Sequence, residues 1–309
     1  MTKAQKFVIE CIPPFNFELS VGLFSGGDRQ IRKYEKGKFW QIIRTDGQLA
    51  LITLKPLGTV DQPRIAVELE SNDKISREQK NKAKALVTAL LNIQFDLNPF
   101  YEGVASDKIL TDLTKRLRGL RIPSTPTVFE ALVDSIIEQQ ISLDVAHVLE
   151  TNLIKAFGDS LNLNQEVYYA YPTPKKLASA NIKKLRGCGL STRKAEYIIE
   201  ISKMVARGSL DLESYKDYDD AQEIIEELDK IRGIGVWTAE LTIMRAMNKN
   251  DVIPADDLGL RRVIARFYCN DKRITGEEAR RIAEEWGKWK GLACFYLMVA
   301  EAMKEINKR

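Results

Sequence analysis

The 309 residues carry 44% hydrophobic and 29% charged side chains, which fits a soluble globular protein long enough for two or three domains. Lys and Arg exceed Asp and Glu by 47 to 43, a net charge of +4, so nucleic-acid binding has to be read from where charge sits, not from its total. Four cysteines without C-x-x-C spacing (Cys11, Cys188, Cys269, Cys294) argue against a zinc or iron-sulfur centre, and a single histidine, His147, argues against His-based triads and metal sites.

The N-terminal MTKAQKFVIECIPPF lacks the apolar core of a signal peptide. The most apolar run, Gly291 to Ala300, is about half the ~20 residues that span a bilayer. The expected location is therefore intracellular, cytoplasmic and nucleoid-associated or nuclear according to the cell type, with no membrane partner. Candidate strands are Phe7 to Ile12, Asn16 to Gly22, Gln30 to Tyr34, Phe39 to Thr45, Gln48 to Leu54 and Arg64 to Leu69, with Gly37 and Asp46-Gly47 at tight turns. Successive hairpins give an antiparallel sheet. Ser76 to Ile93 then reads as a helix whose Leu86, Leu90 and Ile93 pack one face on that sheet, while Arg77, Lys80, Lys82 and Lys84 face solvent.

From Phe95 onward the periodicity is helical. The fold class is α+β: an antiparallel sheet plus helix over 1–94, then an all-α region over 95–309. Pro126 and its neighbouring threonines start a helix through Val128 and Phe129 that ends at Glu138-Gln-Gln-Ile-Ser142, where polar groups interrupt an apolar stretch. His147 reads as a helix-surface residue. Leu185-Arg-Gly-Cys-Gly-Leu-Ser-Thr-Arg-Lys-Ala195 is a helix-turn-helix, and Lys175 to Lys194 holds seven basic residues and no acidic ones, a candidate phosphate-facing patch. Asp211 to Asp229 is acidic and suits a solvated connection and helix.

Leu228 to Arg262 organises the chain. Leu228 and Ile231 share one face of an incoming helix. Gly233 and Gly235 allow positive φ and close backbone approach, and Val236 to Met247 restarts a helix. A helix that begins out of a glycine turn has amides without intrahelical acceptors and a partial positive charge, an arrangement that binds phosphate. Two glycines alone would do no more than link packed helices; the longer pattern L-x-x-I-x-G-I-G-x-W-T-A is far more specific. Beyond it, Asp256 and Asp257 precede another helical run, and Asp256 reads in part as its N-cap. The tail forms two helices joined near Gly287 to Gly291.

The segments FDLNPF, VFEALVDSIIEQQIS, YPTPKKLASA, LSTRKAEYI, IRGIGVWTAE, PADDLGLRR and EEWGKWKGLACFYL, in that order, resemble the helix-hairpin-helix DNA glycosylase superfamily, and within it the 3-methyladenine DNA glycosylase II branch. IPPFNFELSVGLF and the strand-rich start add a weaker likeness. The resemblance places the hairpin at 228–247, with Gly233, Gly235 and Thr238 against DNA phosphates. It makes Asp257, four residues before the Arg261-Arg262 pair, the catalytic carboxylate. Trp237 becomes an aromatic wall of the base pocket, Leu23, Leu241 and Met298 further pocket positions where the branch has aromatic rings, and Gln140 the residue that fills the gap left by a flipped nucleotide, where the branch has an apolar wedge.

Strand-cutting members of the superfamily carry a lysine where Trp237 stands, so the resemblance implies a monofunctional glycosylase that hydrolyses the bond to an alkylated purine and leaves an abasic site. The implied partner is double-stranded DNA with a damaged base, bound by a monomer. No cofactor is expected, apart from a monovalent cation at the hairpin such as relatives hold. A glycosylase for hypoxanthine, uracil or oxidised guanine, and a noncatalytic DNA-binding module, stay open at this point; a protein-interaction scaffold explains neither the hairpin nor Asp257.

Overall fold

The computed structural model describes residues 3–306. The first part is a five-stranded antiparallel sheet in the order β1-β5-β4-β3-β2, built from β1 (Lys3–Glu10), β2 (Arg32–Glu35), β3 (Lys38–Thr45), β4 (Gln48–Thr59) and β5 (Gln62–Ser71). Its hairpins are short for a clear reason. Between Thr45 and Gln48 the chain reverses in two residues, Asp46 and Gly47, at φ 51° and 80°, and the twist of such a turn matches that of the strands it joins.

One expected strand is not a strand. Asn16 to Gly22 forms a helix, α1 (Phe17–Val21), followed by a 3-10 turn over Gly22–Gly26. The alternation Phe-Glu-Leu-Ser-Val imitates a strand, but Asn16 caps the Leu19 amide and burial falls on Phe17, Ser20 and Val21, the spacing of a helix. The next helix, α2 (Arg77–Leu90), opens with a reciprocal capping box between Ser76 and Gln79. Its Ala83, Val87 and Leu90 close over Phe39, Ile43, Ile52, Leu54, Ile65, Val67 and Leu69 of the sheet.

The helical region comprises α3 (Asn98–Gly103), α4 (Lys108–Arg116), α5 (Val128–Glu138), α6 (Leu143–Phe157), α7 (Pro174–Ala178), α8 (Ile182–Gly187), α9 (Thr192–Ala206), α10 (Ala221–Asp229), α11 (Val236–Ala246), α12 (Leu258–Tyr268), α13 (Gly276–Glu284) and α14 (Lys290–Ile306). The α+β order, a sheet followed by a helical region, is the one expected, with one addition inside the helical part. A small hairpin, β6 (Ser160–Leu163) and β7 (Glu166–Tyr169), turns through Asn164 and Gln165 and lays Leu161 and Leu163 on Ile42 and Leu51, the outer face of the sheet. The sheet is thus covered on one side by α2 and on the other by part of the helical region. Among the described residues no helix is long and apolar enough to cross a membrane.

Two hydrophobic clusters divide the helical region. One joins α5, α6, α9, α10 and α11; the other joins α3, α4, α12, α13 and α14. The loop between α11 and α12 crosses from the first, at Val252, to the second, at Ile253 and Ala255. Consequently the end of the glycine hairpin and the paired aspartates lie on opposite sides of a seam. The sheet is fastened to the second half by Arg121. That guanidinium is 1% exposed and donates to the carbonyls of Asn92, Phe95, Ile12 and Pro14, so a buried charge is spread over four acceptors. Burial lowers its pKa to about 10.

A second buried ionic group joins the sheet to the first half. Arg32 of β2 lies 3.0 Å from Glu150 and 3.7 Å from Glu130, and Tyr171 donates at 2.7 Å to Asp134. Burial raises the Glu130 carboxyl from 4.5 to about 7, against the pull of Arg32, and raises Asp134 as well. An acid whose pKa is higher folded than unfolded favours folding at low pH, and this contribution is lost as pH rises from the unfolded value through the folded one. The thermal midpoint should therefore lose a Glu130-dependent share between about pH 5 and about pH 7.5. Glu130→Gln should fall less over that window, as thermal denaturation followed by circular dichroism would show; equal slopes would remove Glu130 from the account.

Candidate active site

The hairpin forms as the glycine spacing requires, but its two glycines act differently. Gly233 sits at φ 91°, and a Cβ on it would come within 2.3 Å of the Tyr197 ring. Only glycine fits there. Gly235, the N-cap of α11, is at φ −111° and ψ 176°, ordinary extended backbone, contrary to the expected positive φ. A Cβ there would meet nothing closer than Asp229 Oδ1 at 4.0 Å, so its missing side chain matters only to something arriving from outside. No side chain caps α11, which leaves its first amides to an external acceptor. Thr238, the third expected phosphate contact, is turned inward. Its side chain is 2% exposed and its Oγ1 accepts from Gln139 Nε2 at 3.0 Å, so only its backbone can serve a phosphate.

Across the seam, Asp257 rather than Asp256 is the N-cap of α12. Its Oδ1 accepts from the Leu260 amide at 2.8 Å. Among the described residues its second oxygen has no hydrogen-bond partner, and the side chain is half-buried. One oxygen is thus held by the helix and the other is left for chemistry. Asp256 turns to the start of α13, where a Cβ on Gly276 would lie 2.2 Å from its Oδ1. Glu240 of α11, 1% exposed, pairs with Arg280 of α13 at 2.6 Å and ties the two halves together. Burial pushes its carboxyl up, while Arg280 opposes the rise.

Trp237 and Leu241 are four residues apart on α11 and share one stripe. Both are half-buried, and neither belongs to a hydrophobic cluster, so Trp237 is not simply core. Met298 lies on α14, partly packed on the half that carries Asp257. Leu23 stands in the 3-10 turn after α1, 51% exposed. Leu258, directly after Asp257, is 63% exposed and was not among the expected site residues. It was legible in principle, because the buried stripe of α12 runs through Leu260, Val263 and Ile264 and leaves Leu258 off it.

Gln140 is exposed at φ 59°, the tip of the turn that ends α5. Sequence reasoning missed what holds it. Gln139 Nε2 donates to Gly233 O at 2.9 Å as well as to Thr238, and Lys194 Nζ donates to Ile137 O at 2.8 Å and Gln139 O at 2.6 Å. Lys194 therefore leaves the expected basic patch. Lys176 is occupied with Asp159 at 2.8 Å, while Lys175, Lys183, Lys184, Arg186 and Arg193 are exposed. His147 is exposed on α6 as expected.

Among the described residues no three His, Cys, Asp or Glu side chains gather as a metal site. In the hairpin, Ile231 O accepts from the Ile234 amide and Gly233 O from Gln139 Nε2, and a carbonyl oxygen has two lone pairs, so neither bond by itself closes its oxygen to a monovalent cation.

Residues 133–288 match the family described as HhH-GPD superfamily base excision DNA repair protein. The chain is 30% identical over 248 residues to a DNA-3-methyladenine glycosylase of Bacillus subtilis, covering 79% of this chain and 81% of that one. Among solved structures, it superposes on a 3-methyladenine DNA-glycosylase from Archaeoglobus fulgidus with a TM-score of 0.85 and 32% identity, over 96% of this chain and 98% of that one. An 8-oxoguanine glycosylase/lyase of Clostridium acetobutylicum in complex with DNA superposes at 0.78 with 19% identity, over 99% and 98%; that likeness concerns the fold alone.

Proposed function

We propose, from the premise that the chain belongs to the HhH-GPD superfamily of base excision DNA repair proteins and is a DNA glycosylase, that it removes alkylated purines from duplex DNA by hydrolysis and leaves the strand uncut. The observation that carries this reading is the half-free carboxylate of Asp257 at the head of α12, read together with the resemblance, which sets Trp237 where strand-cutting members of the superfamily carry an amine. The relatives named for 3-methyladenine, at 30–32% identity over most of the chain, support the choice of base.

A purine alkylated at N3 or N7 is cationic. It leaves as a neutral base with the electron pair of the broken C1′–N bond, so no general acid is required. The sugar is left as an oxocarbenium-like cation. Asp257 stabilises that charge and takes a proton from the water that adds to C1′. Trp237 offers the departing cationic base an aromatic face. The uncapped start of α11 binds the phosphate backbone through amides.

Leu23, Leu241 and Met298 stand where the resemblance sets aromatic rings of the base pocket, so a pocket built from them would stack less, which favours testing the base range widely. Duplexes with single methylated, deaminated or oxidised bases, assayed for free base, should yield release from the methylated purines first. Release confined to hypoxanthine, uracil or oxidised guanine would overturn the choice of substrate, and binding with no release would leave only a DNA-binding module.

A further inference from the structure

The turn after α5 is bound from two sides by groups other than Asp257, Trp237 and the α11 amides. Lys194, near the start of α9, places its ammonium against the carbonyls of Ile137 and Gln139, the oxygens that a helix end leaves without intrahelical donors. Gln139 reaches the other way, to the carbonyl of Gly233 inside the hairpin and the hydroxyl of Thr238 on α11. Glu138, one residue earlier, is clamped by Arg245 of α11 with both nitrogens at 2.8 Å. Between these anchors Gln140 stands exposed in the left-handed region, a conformation that a non-glycine residue keeps only when its surroundings impose it.

We propose that Lys194 and Gln139 are positioning residues that fix the Gln140 turn relative to the glycine hairpin, so that a duplex held at the hairpin meets the side chain that replaces the extruded nucleotide. This rests on the reading of the chain as a base-flipping glycosylase. The two anchors act together. Lys194 sets where the turn ends by donating to the carbonyls of Ile137 and Gln139, and Gln139 sets its distance from the phosphate-binding amides. Burial lowers the Lys194 pKa, in keeping with an ammonium turned inward rather than toward DNA. Neither anchor bonds to the free amides at the start of α11, so with either one removed nucleotide extrusion should fail while backbone binding survives.

The test uses Lys194→Met, Gln139→Leu and Lys194→Arg in the full chain. Because the two anchors lie on different elements, either of the first two carries the test if the other does not fold. Binding to undamaged duplex and its salt dependence should stay within about twofold of wild type, since those readings follow phosphate contacts. Fluorescence of 2-aminopurine beside a stable abasic analogue, which needs no bond cleavage, should rise on wild-type binding and rise much less with Lys194→Met or Gln139→Leu.

Single-turnover release of 7-methylguanine should fall about tenfold or more from a fully paired site, the scale expected when a positioning contact is lost. It should fall little when the same base is already unstacked in a bulge, and Lys194→Arg should recover most of the paired rate. Equal losses on both substrates, a wild-type fluorescence rise, or affinity lost in parallel with rate would each overturn the proposal. Should wild type release no alkylated base, the fluorescence reading alone decides between the anchors and a passive turn.

Discussion

Asp257→Asn should fold, bind duplex DNA and lose most of its glycosylase activity. Asparagine is about as good an N-cap as aspartate, so the bond to the Leu260 amide survives and α12 keeps its start. What disappears is the charge on the unpartnered oxygen. Loss of one preorganised electrostatic contact to a developing charge costs about 100- to 1000-fold in rate. Single-turnover release from a duplex with one 7-methylguanine, beside thermal melting and duplex affinity, separates the effects. A large rate loss with unchanged melting and affinity is expected; wild-type release would show that the carboxylate is structural. Asp257→Ala is less informative, because it also removes the cap, worth about 1 kcal/mol.

Gly235→Val should have the opposite signature. The extended backbone at Gly235 accepts any residue, and the space beside it is open, so the fold should hold. The branched side chain would project over the uncapped amides of α11 and keep a phosphate away. With hydrogen bonds to a charged group worth about 1.5–3 kcal/mol, affinity should fall about tenfold to a hundredfold on every sequence. The dependence of affinity on salt should become shallower by about one phosphate contact. Gly233→Ala makes the contrast. Its positive φ and the Tyr197 ring give a substituted chain no room, so stability should suffer before binding does. Equilibrium titration over a range of salt, with melting curves, distinguishes the two glycines; unchanged affinity in Gly235→Val would remove the hairpin from DNA binding.

The two glycines illustrate how far residues alone carry the reading. The hairpin, the helix after it and the carboxylate before α12 follow from local spacing, because glycine, apolar periodicity and a capping aspartate act within one or two turns of chain. The roles within the hairpin do not. Whether Gly233 or Gly235 needs positive φ depends on Tyr197, which packs against it from α9. Likewise the capping role expected of Asp256 falls to Asp257, while Asp256 lies against Gly276 at the start of α13, a neighbour that only tertiary packing supplies.

The misread α1 and the unread β6–β7 hairpin have a common origin. Five or fewer residues give too short a sample to tell a period of two from one of 3.6, and packing decides. The ties of Gln139 and Lys194 could not be seen at all, because the Gln139 side chain is polar in any register and its partners come from other helices.

In the proposed reaction an anion at the head of α12 faces a sugar that loses its base with no amine available to capture it. Incubation of wild type with a duplex bearing one 7-methylguanine, in the presence of borohydride, reads this directly. Free base, an intact abasic strand and no protein–DNA adduct are predicted. A strand cut during the reaction, or a covalent complex trapped by reduction, would contradict it.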